Sequence, residues 1–348
     1  MATGYLLGRK ISVRLMLYLS ALTLLILSTN TLSGIVPLPE ATLVAFAAVL
    51  LVVLLSYIDL TMPRDRVSAL SALVLFASLI VLGFSAVSHG LFSWRRSVSI
   101  PTEIALSMGL IAISYPRVAR RVAEVGLKQF LIVAAIVTAA SSLTGFRADP
   151  LLIVIESLVI AVVYHDLNKR DLTFLVVLAI SIVGVLSLAS RPLSALNLVK
   201  RFYSTVYYFS LIASSSVPRG LMGDPLWIFR IGVHPTQFVG RAVFGRNTGI
   251  TTTMFGNFLL DFGPTEMILM SLLVGIFSGW LFTNSLGDYI EDYSILLALL
   301  VTRMEIGFSQ LDLLIIPALA FHVSLIRVMR SSRSDREVFK SSSPESSG

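Results

Sequence analysis

The sequence predicts an all-α, polytopic integral membrane protein with about ten transmembrane helices and one long external loop. Only 14% of its 348 residues are charged, whereas a soluble domain has about 25%. The mean hydropathy is +0.86. Apolar runs of roughly 20 residues recur along the chain, and each is long enough to cross a bilayer as a helix. Because these runs are continuous, they lack the two-residue alternation of a transmembrane β-barrel.

The apolar runs divide the chain into four regions. Residues 1–190 form an N-terminal membrane region of seven spans, and residues 264–329 form a C-terminal region of three spans. Between them, residues 191–263 form the long external loop, while residues 330–348 form a polar tail that we expect to be disordered. The predicted spans are 12–32, 40–59, 68–88, 98–115, 128–145, 150–165, 171–190, 264–284, 293–308 and 312–329.

The positive charges predict the orientation of the spans. Lysine and arginine cluster before span one, after spans two, four and six, and in the tail. These five segments lie on one side of the membrane if the N-terminus is cytoplasmic. The short loops on the other side are poor in both residues, apart from Arg95 and Arg96. By the positive-inside rule, we expect a multi-pass plasma-membrane protein with both termini in the cytoplasm.

Several classes of site are excluded by what the sequence lacks. The chain has no cysteine, so it has no disulfides, thiolate metal sites or cysteine nucleophiles. HExxH, P-loop and dinucleotide-binding patterns are also missing, and we expect no metal or other cofactor. The net charge of +7 indicates contact with anionic membrane lipids rather than with nucleic acid.

The predicted external loop is strongly basic. The positive-inside rule does not explain this charge, because it favours lysine and arginine in short loops on the cytoplasmic side. It contains seven lysines and arginines against two aspartates. Arg219, Arg230, Arg241 and Arg246 each lie near a glycine. A guanidinium fits phosphate oxygens, and glycine permits close approach of the backbone to a ligand. We therefore favour an anionic ligand over the alternative, which is contact with anionic lipid headgroups.

The first third of the loop, LNLVKRFYSTVYYFSLIASSS, predicts a helix at the membrane interface. Tyr203, Tyr207 and Tyr208 form a cluster there, and tyrosine favours positions where the ring is buried and the hydroxyl stays wet. The alternative is an eleventh span. That span would reverse the later topology and place the positive charges of the tail outside.

Each charged or titratable residue predicted near the outer face has both a functional and a structural interpretation. His234 in GVHPTQ is a candidate proton shuttle or a turn residue. Asp261 is a candidate base, but its position just before Pro264 favours a helix cap. Arg303, near the outer end of span nine, faces either a cavity or the interface. His322 is expected at a membrane interface.

The stretch GITTTMFGNFLLDFG, followed by the small-residue span LLVGIFSGWLF and preceded by PRG at 218–220, resembles oligosaccharide repeat-unit polymerases. These are the O-antigen polymerases and their archaeal relatives. One departure is DFGPTE, where a glycine-containing, apolar helix start is more usual. The resemblance implies a GT-C-like membrane glycosyltransferase. Such an enzyme joins polyprenyl-(pyro)phosphate-linked oligosaccharides at the outer membrane face during surface polysaccharide synthesis.

The resemblance also implies roles for the candidate residues. Three arginines stabilise the phosphate leaving group without a metal, and His234 is a candidate base for the acceptor hydroxyl. The three arginines are Arg219, Arg241 and Arg246, and the substrate-binding candidates are Arg230, Thr251, Thr252, Asn257 and Arg303. A flippase or a chain-length regulator is a candidate partner.

Three other functions stay open from sequence alone. A lipid-linked oligosaccharide flippase or other transporter explains the spans and the arginines, an O-antigen-ligase-like transferase shares the chemistry, and a scaffold explains the spans only. Transporters often contain internal repeats and carry charges near the bilayer midplane. Here we find no convincing repeat and the charges gather in the outer loop, which favours an enzyme.

Overall fold

The computed structural model describes residues 1–33, 37–89, 102–144, 148–165, 195–214, 264–285, 289–306 and 310–341, with five isolated residues between them. All regular secondary structure in these residues is helical, which confirms the predicted all-α class. A 3-10 turn, Ser142–Thr144, follows α6. The helices are α1 (Ala2–Gly8), α2 (Val13–Ser33), α3 (Leu38–Thr61), α4 (Arg64–Ser88), α5 (Thr102–Val125), α6 (Leu127–Ser141), α7 (Ala148–Tyr164), α8 (Ala195–Ala213), α9 (Pro264–Ser285), α10 (Ile290–Ile306) and α11 (Gln310–Ser341).

The predicted number of spans is too high for the described part of the chain. Nine of the ten predicted segments coincide with helices, and the tenth, 171–190, lies outside the described residues except for Thr173. Only five helical segments there are long and apolar enough to cross a membrane, with a shorter apolar stretch at Val13–Thr29. Both α7 and α10 have 17 residues. The five segments are α3, α4, Leu127–Thr144, Met267–Ser285 and Leu314–Ser332.

Two helices continue past their predicted ends. Helix α5 runs ten residues beyond 115, through Pro116, because its arginines find carboxylate partners on neighbouring helices. Helix α11 continues to Ser341, so residues 330–341 are helical where the sequence predicts a disordered tail. No glycine or proline interrupts the chain between Pro317 and Pro344, which explains why the helix does not stop at the predicted end.

The helices pack into a bundle with a central and a peripheral part. Helix α2 lies between α3 and α11, α7 packs against α5, α6 and α10, and α9 contacts α10 and α11. Half of the apolar window of α11 is buried, but only 17% of that of α3 or α4. Large apolar side chains such as Phe84 and Leu43 are therefore exposed on the periphery, where a bilayer would cover them. Trp280, Tyr115 and Phe130 fill the core.

Helix α1 crosses α9 at a distance that leaves no room for side chains at the contact. A Cβ atom at Gly8 would lie 2.0 Å from the carbonyl oxygen of Ile276, and one at Gly279 would lie 2.0 Å from that of Tyr5. Each helix has glycines four residues apart on the facing side, a spacing that lets helix backbones meet in membranes. The two motifs are GYLLG at 4–8 and GIFSG at 275–279.

Replacement of Gly279 by alanine tests this contact. We expect Gly279→Ala to lower the free energy of unfolding by about 1–3 kcal/mol, because a methyl group there overlaps backbone that has little freedom to move. The matched control is Gly109→Ala in α5, where a Cβ atom meets nothing within 4 Å. Alanine favours helix at that position, so the control should be neutral or stabilising. Unfolding in detergent measures both, and equal effects would contradict the close crossing.

Candidate functional site

Eight of the nine predicted site residues lie outside the described residues, so their arrangement around a common site remains a prediction. Those eight are Arg219, Arg230, His234, Arg241, Arg246, Thr251, Thr252 and Asn257. The ninth, Arg303, lies in the last turn of α10. Helix α9 begins at Pro264, as the position of proline in a first helical turn predicts, while Asp261 lies outside the described residues.

The segment that the sequence predicts as an interfacial helix is helical, and forms α8. Tyr203 and Tyr207 are both exposed, whereas Thr205 on another face is buried. Helix α8 is not one of the five segments that are long and apolar enough to span a membrane. Its position at the interface remains a prediction.

The described residues instead show a group of charged side chains at one end of the bundle. We call this group the charge cluster. Helices α3, α5 and α7 end there, α10 begins there, and α11 passes beside it. Its members are Asp59, Asp65, Arg117, Arg120, Arg121, Glu124, Glu291, Asp292 and His322.

The centre of the charge cluster joins four helices. The Nη2 atom of Arg117 lies 3.6 Å from Oδ2 of Asp59, and Nε2 of His322 lies 3.1 Å from the same oxygen. The same imidazole nitrogen lies 3.9 Å from Oδ2 of Asp292. Asp59 belongs to α3, Arg117 to α5, Asp292 to α10 and His322 to α11. A guanidinium and an imidazole placed beside two carboxylates therefore connect the four helices at one end of the bundle.

A serine fixes the orientation of the histidine ring. The hydroxyl of Ser56 donates to the carbonyl oxygen of Val52 at 2.7 Å, and its oxygen lies 2.8 Å from Nδ1 of His322. Since a serine hydroxyl has one hydrogen, Nδ1 of His322 is the donor in the second contact. The ring thus donates to α3 with Nδ1 and presents Nε2 to the carboxylates.

Towards the rim of the charge cluster the ion pairs become more exposed. Arg120 donates to Glu291 at 2.7 Å and its guanidinium lies 5.5 Å from the ring centre of Tyr164. The side chains of Arg120 and Glu291 are 12% and 14% exposed. By contrast, the 2.8 Å pair between Arg121 and Asp65 is 52% and 72% exposed. The inner pair, Arg120–Glu291, therefore contributes more to stability than the outer pair, Arg121–Asp65, because water screens the outer one.

A cavity of about 250 Å³ opens within the charge cluster. Five arginines and five acids line it, so their formal charges cancel. The charged lining residues are Arg64, Arg117, Arg120, Arg121, Arg330, Asp59, Asp65, Glu124, Glu291 and Asp292. A phosphate site requires an excess of positive charge, so this arrangement suits holding helix ends together better than binding an anionic carrier.

The charge cluster is the polar site that the sequence interpretation misses. His322, expected at an interface, is buried inside the bundle. Its partner Asp59 gives the one available signal, because an aspartate within a predicted span demands a partner. The identity of that partner, more than 260 positions away in the chain, does not follow from sequence pattern.

Loss of one member of the inner pair tests its contribution to stability. We expect Arg120→Gln to lower the free energy of unfolding by about 3 kcal/mol or more, because Glu291 keeps its burial and loses its cation. The matched control is Arg121→Gln, which breaks an exposed pair and should change stability little. Chemical or thermal unfolding in detergent compares the two. Equal losses would contradict the distinction between inner and outer pairs.

Comparison with known proteins identifies the family. Residues 17–316 match the family described as Putative O-antigen polymerase. An uncharacterized protein of Methanocaldococcus jannaschii is 25% identical over 321 residues, which cover 88% of this chain and 77% of that protein. No solved structure matches the chain, so the GT-C-like arrangement that the resemblance implies has no support from a known fold. The family match spans most of the chain, including the whole basic segment 191–263, and the chain therefore belongs to this O-antigen polymerase family.

Proposed function

We propose that this protein is a membrane glycosyltransferase that polymerises polyprenyl-(pyro)phosphate-linked oligosaccharide repeat units at the outer face of the plasma membrane. Family membership over residues 17–316 is the observation that carries the proposal. The product is a surface polysaccharide, and the lipid-linked units serve as both donor and acceptor.

The arrangement of the last three helices supports an outer location for the chemistry. Helix α9 ends beside the charge cluster, where Arg327 donates to the carbonyl oxygen of Asn284 at 2.6 Å. Its first residue, Pro264, is therefore at the opposite end of the bundle, and the basic segment 191–263 joins α9 there. Arg303 lies near that same end, in the last turn of α10.

The charge distribution supports the same orientation. The charge-cluster end carries Arg64, Arg117, Arg120, Arg121 and Arg330, as expected for a cytoplasmic surface. The end that joins the segment 191–263 then faces outwards. An enzyme that extends a surface glycan needs its acceptor and its basic residues on that side.

The proposed reaction assigns a role to each predicted residue type. A hydroxyl of the acceptor sugar attacks the anomeric carbon of the donor, the bond from that carbon to the carrier phosphate oxygen breaks, and the hydroxyl proton leaves to a base. Arg219, Arg241 and Arg246 stabilise the negative charge on the departing (pyro)phosphate. His234 accepts the proton. Fixed guanidinium groups provide this stabilisation without a metal ion.

The remaining predicted residues would hold the two substrates. Arg230 and Arg303 add positive charge beside the carrier, and Thr251, Thr252 and Asn257 offer hydroxyl and amide groups to sugar or phosphate. A flippase that delivers the units and a regulator of chain length are the proposed protein partners.

A lipid-linked oligosaccharide flippase is the second candidate. The charge cluster is the observation that favours a flippase, because transporters also place charged side chains inside their helix bundles. Reconstitution separates the two functions. Purified protein given lipid-linked repeat units should form longer glycans and release free carrier, whereas movement of units between leaflets without chain growth would support the flippase.

Substitution of Arg241 by lysine tests the role of the planar guanidinium. Arg241→Lys keeps the charge but removes the fork that fits two phosphate oxygens, so polymer yield should fall by roughly tenfold to a hundredfold. Arg121→Lys is the matched control, because Arg121 lies exposed at the opposite end of the bundle. Normal yield from Arg241→Lys at wild-type protein levels would exclude a bidentate phosphate role for that residue.

A further inference from the structure

Glu156 is a buried carboxyl that the proposed reaction does not use. It lies midway along α7, eight residues from both Ala148 and Tyr164, which places it about 12 Å from each end of the helix. Its side chain is fully buried. In the part of the chain that the structure describes, neither of its oxygens has a hydrogen-bond partner.

Two other acids of low exposure, Glu291 and Asp292, differ from Glu156 because a basic side chain lies beside each of them. Arg120 lies against Glu291, and the imidazole of His322 lies 3.9 Å from Asp292. Those two acids also lie in the first turn of α10, at the end of the bundle, whereas Glu156 lies in its middle. Glu156 thus lacks a basic partner because of its position in the middle of the bundle, and not because acids in this fold generally lack one.

The helices packed against α7 are α5, α6 and α10. Their charged and titratable residues are Glu103, Tyr115, Arg117, Arg120, Arg121, Glu124, Lys128, Glu291, Asp292, Tyr293, Arg303 and Glu305. Lys128 is in the first turn of α6, and Arg303 and Glu305 are in the last turn of α10. The hydroxyl of Ser157, the residue next to Glu156, bonds to the hydroxyl of Tyr115 on α5.

The nearest cations on α5 already have partners. Arg117 contacts Asp59, and Arg120 contacts Glu291 and Glu124. An ionised Glu156 would therefore be a charge in apolar surroundings without compensation, which is among the costliest arrangements in a protein. A protonated carboxyl has no net charge, and its O–H can donate to a backbone carbonyl of its own helix.

We propose that Glu156 is a buried proton-binding site in the middle of the helix bundle, whose carboxyl stays protonated and neutral in the folded protein at neutral pH. The proton is the ligand, and α5, α6 and α10 form the site by excluding water and cations from it. The proposal does not depend on the glycosyltransferase activity, because it concerns the packing around α7 alone.

Infrared spectroscopy of the purified protein at neutral pH measures this proton. A protonated carboxylic acid has a C=O stretching band well separated from carboxylate bands. Wild type should show this band, and Glu156→Gln should lose it. Glu40→Gln is the matched control, because Glu40 is exposed in the first turn of α3 and its replacement should leave the band unchanged. No such band in wild type, or a band that survives in Glu156→Gln, would overturn the proposal.

Thermal unfolding of the same variants provides a second readout. Glutamine is close in shape to a protonated glutamic acid, so Glu156→Gln should keep the wild-type unfolding temperature. Glu291→Gln, which removes the charge partner of Arg120, whose side chain is only 12% exposed, should lower it. If Glu156→Gln lowers the unfolding temperature as much as Glu291→Gln, Glu156 is ionised and paired with a cation outside the described residues, and the proposal fails.

Discussion

Arg117 and His322 stand beside the carboxylates of Asp59 and Asp292, inside a bundle whose other contacts are mostly apolar. Apolar packing between helices in a bilayer is weakly specific, since lipid tails are as apolar as the side chains. Charge pairs of low exposure have few alternative partners. They therefore fix the relative positions of α3, α5, α10 and α11 along the bundle, and α2, α4, α6, α7 and α9 each contact at least one of these four helices.

The two ends of the bundle differ in their charge. At one end the charges are balanced and paired, which suits mechanical support. The other end joins the segment 191–263, with seven basic and two acidic residues, through the first residue of α9. Under the proposed function, that excess positive charge serves an anionic carrier.

The sequence predicts the positions of the helices well because continuous apolar runs determine them locally. Among the described residues it overestimates the number of helices that are long and apolar enough to span a membrane, and it misplaces two helix ends. Helix α5 continues through Pro116 because its arginines pair with carboxylates of neighbouring helices, and α11 continues because no glycine or proline interrupts the chain before Pro344. The sequence does not predict the charge cluster for a related reason. An aspartate at position 59, in a predicted span, indicates that a partner is needed, but nothing in the local sequence identifies the distant His322 as that partner. The resemblance at residues 249–282 predicts the family correctly, because it rests on a local pattern.

The most direct test of the central claim is the side of the membrane on which each end of the bundle lies. The chain has no cysteine, so single cysteines introduced as Thr251→Cys and Ser332→Cys report their own exposure. A membrane-impermeant maleimide should label Thr251→Cys in intact cells, and label Ser332→Cys only after permeabilisation. Labelling of Ser332→Cys in intact cells, with Thr251→Cys protected until permeabilisation, would contradict an outward-facing basic segment and a cytoplasmic charge cluster.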